Sequence, residues 1–214
     1  MVEVKRRYDV SGRQERARAR RRAVVVAAKE LFERDGFRAT TLAAVADRGG
    51  VSVKGLYKSF GSKAALAKAV FDFVIAGDDE PVSVADRPEQ RAMLEEPDVR
   101  RKIEMFIHAV ARRQQRSAKV QILIRDGRHV DDSLIPVWRQ LSEEGLTAMT
   151  MIGGHLAGTG QLRAGIELDE VRDVLWNYLA IDTYERLVLE RGWTLDRYSD
   201  WMTRTIIAAL CTQG

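Results

Sequence analysis

Apolar residues recur at i, i+3 and i+4 along almost the whole of this 214-residue chain, while alternation with period two is scarce. A helix advances about 100° per residue, so that spacing gathers apolar side chains on one face, whereas a half-buried strand needs alternation. An all-α fold is therefore expected. Val24, Ala27, Ala28, Leu31 and Phe32 make the first such face, and Gly36 supplies a stop. Thr40-Thr41 offers an N-cap for a short helix carrying Leu42, Val45 and Ala46, which Gly49-Gly50 ends. Ser52 caps a second short helix over 53–59, with Leu56 and Phe60 turned inward. After Gly61-Ser62 a longer helix starts near Lys63 and runs through Leu66, Val70, Phe71 and Val74.

Further on, residues 77–88 read as a loop because of their acidic run and Pro81 and Pro88. Pro97 suits the first turn of a helix to about 117, followed by another ending near Gly127. A long helix is expected from Leu134 to Leu156, with Pro136 in its first turn. Gly158-Thr159-Gly160 makes a loop. The last two helices are expected over about 169–190, stopped by Gly192, and about 194–211. The count is nine or ten helices, in three parts: a basic flexible arm over 1–22, a domain of short helices over 23–63, and a C-terminal domain over 64–214. No flexible linker follows residue 63, so a continuous helix should join the last two.

The composition, 45% apolar and 31% charged with four prolines, is that of a folded protein and not of a disordered or fibrous one. No run approaches the ~18 apolar residues of a membrane span, and the N-terminus is charged. One cysteine, Cys211, makes no intramolecular disulfide, which fits a reducing cytoplasm. The charge is asymmetric. Residues 1–63 hold sixteen Lys and Arg against seven Asp and Glu, a net of +9, and the remainder holds nineteen against twenty-four, a net of −5. A basic first third suggests that this end meets a polyanion. Residues 1–22, with nine basic side chains, read as a mobile arm that adds charge-driven binding.

Residues 36–63 then combine a short helix, a glycine turn and a second short helix, which is a helix-turn-helix. Its apolar positions hold the two helices on the first one and leave the outer face of 53–58 for DNA. Val53 can meet a thymine methyl and Lys54 a guanine edge. Gly55 gives up roughly 1 kcal/mol of helix propensity, which fits a close backbone approach. Tyr57, Lys58 and Ser59 can donate to phosphates, and Lys63 adds charge at the start of the next helix. Thr41 and Ser52, at the two helix starts, complete the candidate DNA-binding set.

The pattern A27-A28-x-x-L31-F32, G36-F37, T40-T41, V45-A46, G50-V51-S52, L56-Y57, F60 and S62-K63 resembles the DNA-binding domain of the TetR (tetracycline-repressor) family of bacterial regulators. The resemblance covers roughly residues 20–75. One departure is Ser59, where many members carry a phosphate-contacting histidine; serine can still donate. The resemblance implies a homodimer on a palindromic double-stranded DNA operator, a divergent helical C-terminal domain, and a small-molecule inducer that releases DNA, so that the chain would act as a repressor.

In the C-terminal part, Phe106, Val110, Ile122, Trp138 and Met149 are candidates to line a cavity for an apolar effector. On helix 169–190, Val171, Leu175 and Tyr178 fall on one side and Trp176 and Leu187 roughly opposite. A helix apolar on two faces needs two burial partners; one is its own core, and a second subunit or more of the same chain is the other. Val171, Leu175 and Tyr178 are the candidate dimer residues. His108 lies on an apolar stripe with no second histidine nearby, so it reads as core or pocket lining and not as a metal ligand. No cofactor motif, nucleophile elbow or phosphate loop is found, and an enzyme is not expected. The rivals are an effector-independent DNA-binding protein, architectural or activating, and a helical-bundle enzyme with a vestigial DNA-binding domain.

Overall fold

The computed structural model describes residues 10–77 and 88–212. The chain divides into two compact units, Met1–Val70 and Phe71–Gly214. Among the described residues the regular structure is helical: α1 (Val10–Ala39), α2 (Leu42–Arg48), α3 (Val53–Phe60), α4 (Lys63–Ala76), α5 (Pro88–Glu95), α6 (Val99–Gly127), α7 (Ile135–Ala157), α8 (Leu168–Tyr178), α9 (Ile181–Tyr184) and α10 (Leu195–Leu210). One isolated antiparallel bridge links Leu162 and Cys211. The all-α reading holds. No described helix is long and apolar enough to cross a membrane.

In the first unit α1 is the platform. Val24, Val25, Ala28, Leu31 and Phe32 are buried along it, and Phe32 stacks on Phe37 with ring centroids 5.7 Å apart. Gly36 interrupts the helix at φ 79°, ψ 170°, a left-handed conformation that suits glycine. α2 contributes Val45 and Ala46 to the core, and α3 contributes Leu56 and Phe60. The turn between them lies directly on α1, for a Cβ added at Gly49 would sit 3.0 Å from the Val45 carbonyl and 3.1 Å from Val24 Cα. Arg48 Nε donates to Glu30 at 2.6 Å and ties α2 to α1.

The reading of residues 10–22 as a mobile arm is corrected: they are the first turns of α1, exposed along residues 14–23. Arg and Ala are strong helix formers, and the segment is rich in both. Arg21 is also held in place. Its Nη1 donates to the Ser59 carbonyl at 3.2 Å, and its guanidinium lies 4.3 Å from the Phe60 ring centre. Residues 1–9 lie outside the described residues. The division between the units falls inside α4, so the expected continuous helix is present.

In the second unit, α6, α7, α8 and α10 share one core, built around Ile103, Phe106, Ile107, Leu156, Val171, Leu175, Met202 and Ile206. Two helices expected over 97–127 are a single 29-residue helix, capped by Asp98, whose side chain accepts from Arg101 N at 2.7 Å; Pro97 lies just before it. The stretch at the expected break is partly internal, since Gln114 and Ser117 are buried. α5 begins at Pro88, which reads as loop in the sequence; most of the expected loop, 78–87, lies outside the described residues.

The helix expected over 169–190 is broken after Tyr178. Gln114 Nε2 donates to the Leu179 carbonyl at 2.9 Å, and the Tyr198 hydroxyl donates to Gln114 Oε1 at 3.0 Å. A side chain that captures a carbonyl in this way interrupts the helical ladder. Burial pushes the Tyr198 hydroxyl well above the usual tyrosine range, which keeps it a donor. Past α9 the chain widens into a π turn, Glu185–Glu190, and Gly192, at φ 68°, ends the segment.

Candidate nucleic-acid interface

α2 and α3 are seven and eight residues long, too short to persist alone in water. Two things hold them. The first is burial, complete for Val45 and nearly so for Leu56. The second is capping. The Thr41 hydroxyl accepts from Ala44 N at 3.1 Å, and the Ser52 hydroxyl accepts from Gly55 N at 3.0 Å. These bonds satisfy donors that a helix start otherwise leaves open. Thr41 and Ser52 are thus placed as caps whose hydroxyl hydrogens are still available to a second acceptor.

With Leu56 and Phe60 inward, α3 presents Val53, Lys54, Tyr57 and Lys58 outward, with Ser59 exposed beside them. Val53 and Tyr57 are 41% and 52% exposed although both carry large apolar surface. They lie four residues apart, as do Lys54 and Lys58, so two rows run along the outer face: one apolar and aromatic, one cationic. Gly55 sits between them, half-buried, with only its own cap oxygen within reach of an added Cβ. A face of this kind offers methyl and ring contact, charge, and an unshielded backbone at its leading end.

Lys63 is corrected from phosphate contact to internal cap. Its Nζ donates to the carbonyls of Phe37 at 2.9 Å and Thr40 at 3.2 Å, and lies 4.4 Å from the Phe37 ring centre. These carbonyls end α1, where a cation is favoured. Lys63→Met should therefore cost about 1–2 kcal/mol of stability and leave the salt dependence of DNA binding unchanged. A phosphate contact would instead lower that salt slope by about one unit, so salt titrations of both proteins decide the point.

In the second unit the other candidates fall elsewhere than expected. Val171 and Leu175 are fully buried in their own chain's core, so they cannot form a dimer face; the outward apolar residues of α8 are Leu168 and Trp176. Tyr178 is half-buried against the same core. Phe106 is core, and Val110, Ile122, Trp138 and Met149 are half-buried against it. A cavity of about 480 Å³ lies between the end of α4, α5 and the first half of α6, lined by none of these five. It is lined instead by Met93, Met105, a set of arginines and His108, the residue whose place on an apolar stripe reads as core or pocket lining. Among the described residues no group of three or more His, Cys, Asp or Glu is placed to hold a metal.

Residues 24–70 match the model of the bacterial regulatory proteins of the tetR family. No curated protein matches the chain. Its fold is that of several solved regulators. NalD, the secondary repressor of the MexAB-OprM multidrug efflux pump of Pseudomonas aeruginosa, superposes with a TM-score of 0.65 at 17% identity, over 94% of this chain and 100% of that one. FadR of Bacillus subtilis, in complex with stearoyl-CoA, gives 0.68 at 14% identity, over 88% and 98%. TylP, a TetR regulator of Streptomyces fradiae, gives 0.62 at 20% identity, over 92% and 89%.

Proposed function

We propose that this chain, with a TetR-family match over residues 24–70 and the TetR-regulator fold along its length, is a ligand-responsive transcriptional repressor. It binds a palindromic operator as a homodimer and leaves it when a small molecule binds the second unit. The observation that supports this best is the outer face of α3, where Val53 and Tyr57 stand in solvent beside Lys54 and Lys58. Large apolar groups left exposed on a rigid, capped helix fit insertion into a major groove. In this reading Val53, Lys54 and Gly55 approach base edges. Thr41, Ser52, Tyr57, Lys58 and Ser59 hold phosphates.

The second copy would pack on the outward side of α7 and α8, where Leu146, Leu168 and Trp176 are exposed. Dimer symmetry then sets two half-sites about one helical turn apart, ~34–36 Å. An inducer that prefers a different half-site separation weakens operator binding, and the operator weakens inducer binding by the same factor. In NalD the same fold serves a repressor, and in FadR it holds an acyl-CoA.

Selection from random double-stranded DNA tests the reading. The expected product is a palindrome with half-sites one turn apart. Lys54→Ala should relax preference at one position of each half-site, by ~1–3 kcal/mol of discrimination. Recovery of no consensus sequence would refute the reading, and a consensus unchanged by Lys54→Ala would remove Lys54 from the base contacts.

A further inference from the structure

Among the described residues, more cations than carboxylates line the cavity of the second unit. Arg101, Arg112, Arg113 and Arg116 line it, against Glu89 and Glu104. Both acids have cations beside them: Glu104 accepts from Arg101 at 2.7 Å, and Glu89 lies 3.6 Å from Arg112. Arg116 caps the end of α4, donating to the carbonyls of Val74 at 3.2 Å and Ile75 at 3.4 Å. Arg113 stands apart. Its Nε donates to the Ala109 carbonyl one turn back at 3.3 Å, but its Nη2 is buried and meets no acceptor among the described residues.

A buried guanidinium nitrogen without an acceptor is costly, since it has given up water and gained nothing. Burial, with the like charges of Arg116 and Arg112, pulls the Arg113 pKa down to about 10, which still leaves it cationic at neutral pH. The rest of the lining is apolar, with Ile75, Met93, Met105 and Ala109. The volume, about 480 Å³, is within the range of small-molecule sites, ~300–1,000 Å³. An oily cavity with one unsatisfied cationic fork has a defined complement: an apolar body that ends in an anion.

We propose that this cavity binds an amphiphilic organic anion, its acidic group accepting from Arg113 and its apolar part lying against Met93, Met105 and Ala109. The inference rests on the reading of the second unit as the effector domain, and it changes the effector expected from sequence from apolar to anionic. Arg113 supplies the hydrogen bond that selects the head group.

Two dyes that share a ring system separate charge from oiliness: anilinonaphthalene sulfonate, an anion, and phenyl-naphthylamine, which lacks the sulfonate. Binding is followed by fluorescence on the full chain without DNA. The sulfonate should bind one per chain, at least about tenfold tighter than the neutral dye, and decanoate should displace it better than decanol. Arg113→Met should weaken the sulfonate roughly ten- to hundredfold, as loss of a charged hydrogen bond does, with the neutral dye unaffected. Equal affinities in the wild type, or undiminished sulfonate binding in Arg113→Met, would overturn the proposal. If Arg113→Met loses its helical circular dichroism, Arg113→Lys is the second test. It keeps the charge and loses the fork, so the preference should fall several-fold; an unchanged preference would equally refute the role of Arg113. Because DNA takes no part, a chain that selects an operator yet shows no anion preference refutes this inference alone.

Discussion

Phe32→Ala should cost about 3–5 kcal/mol of stability in the first unit, and DNA binding with it. Phe32 is 1% exposed and stacks on Phe37. It sits on the same helix that carries Val24, the residue on which the turn at Gly49 rests. Truncating the ring opens a cavity in the platform that α2 and α3 need, and neither short helix has the length to stand without it. The exposed residues Val53, Lys54, Tyr57 and Lys58 are untouched, so any loss of affinity comes from their support. Chemical denaturation and operator titration of the same variant check the argument. Full affinity in a protein destabilised by that amount would show that α3 is held by contacts other than those on α1.

The second large effect is expected inside the second unit. Gln114→Leu removes the donor to the Leu179 carbonyl and the acceptor of the Tyr198 hydroxyl together, in a place where Gln114 is 6% and Tyr198 1% exposed. Each group left unpaired in the interior costs ~1–3 kcal/mol, so the sum is a large share of the stability of an ordinary domain, ~5–15 kcal/mol. Tyr198→Phe in the same background should recover part of the loss, because it removes one of the two unpaired groups. A double variant no more stable than Gln114→Leu would mean that the hydroxyl finds another partner, and calorimetric unfolding measures that directly.

The first unit was legible in the sequence because its signals are local. Thr41, Ser52, Gly36 and Gly49-Gly50 each act within a few residues of where they stand, through a cap or a turn. Lys63 was misjudged for the opposite reason. Its partners, the carbonyls of Phe37 and Thr40, lie more than twenty residues away in sequence, and nothing in a linear pattern marks a carbonyl as open. The same holds for Arg21.

In the second unit periodicity identified which residues are buried but not by what. Val171 and Leu175 form a true stripe, and the stripe faces their own core. α6 reads as two helices in the sequence; it is one, running through the polar stretch Arg112 to Ser117, where tertiary partners absorb Gln114. The arginines that line the cavity carry no local signal in the sequence; they become a site only where α6 lies beside α5. That helix was itself hidden behind Pro88, which signals a loop as readily as a first helical turn.

The π turn at Glu185–Glu190 bears on how this chain lines up with others. There the Arg191 amide donates to the Arg186 carbonyl, five residues back, at 3.1 Å. Such a turn accommodates one residue more than an α-helix uses over the same rise. A chain without that residue closes the same span as plain α-helix, with every later side chain in the same place. Between chains of this fold, a one-residue gap in the middle of a helical segment is then the natural trace of an insertion. Forcing an ungapped match there would rotate everything after it by about 100° and pair core positions with solvent ones.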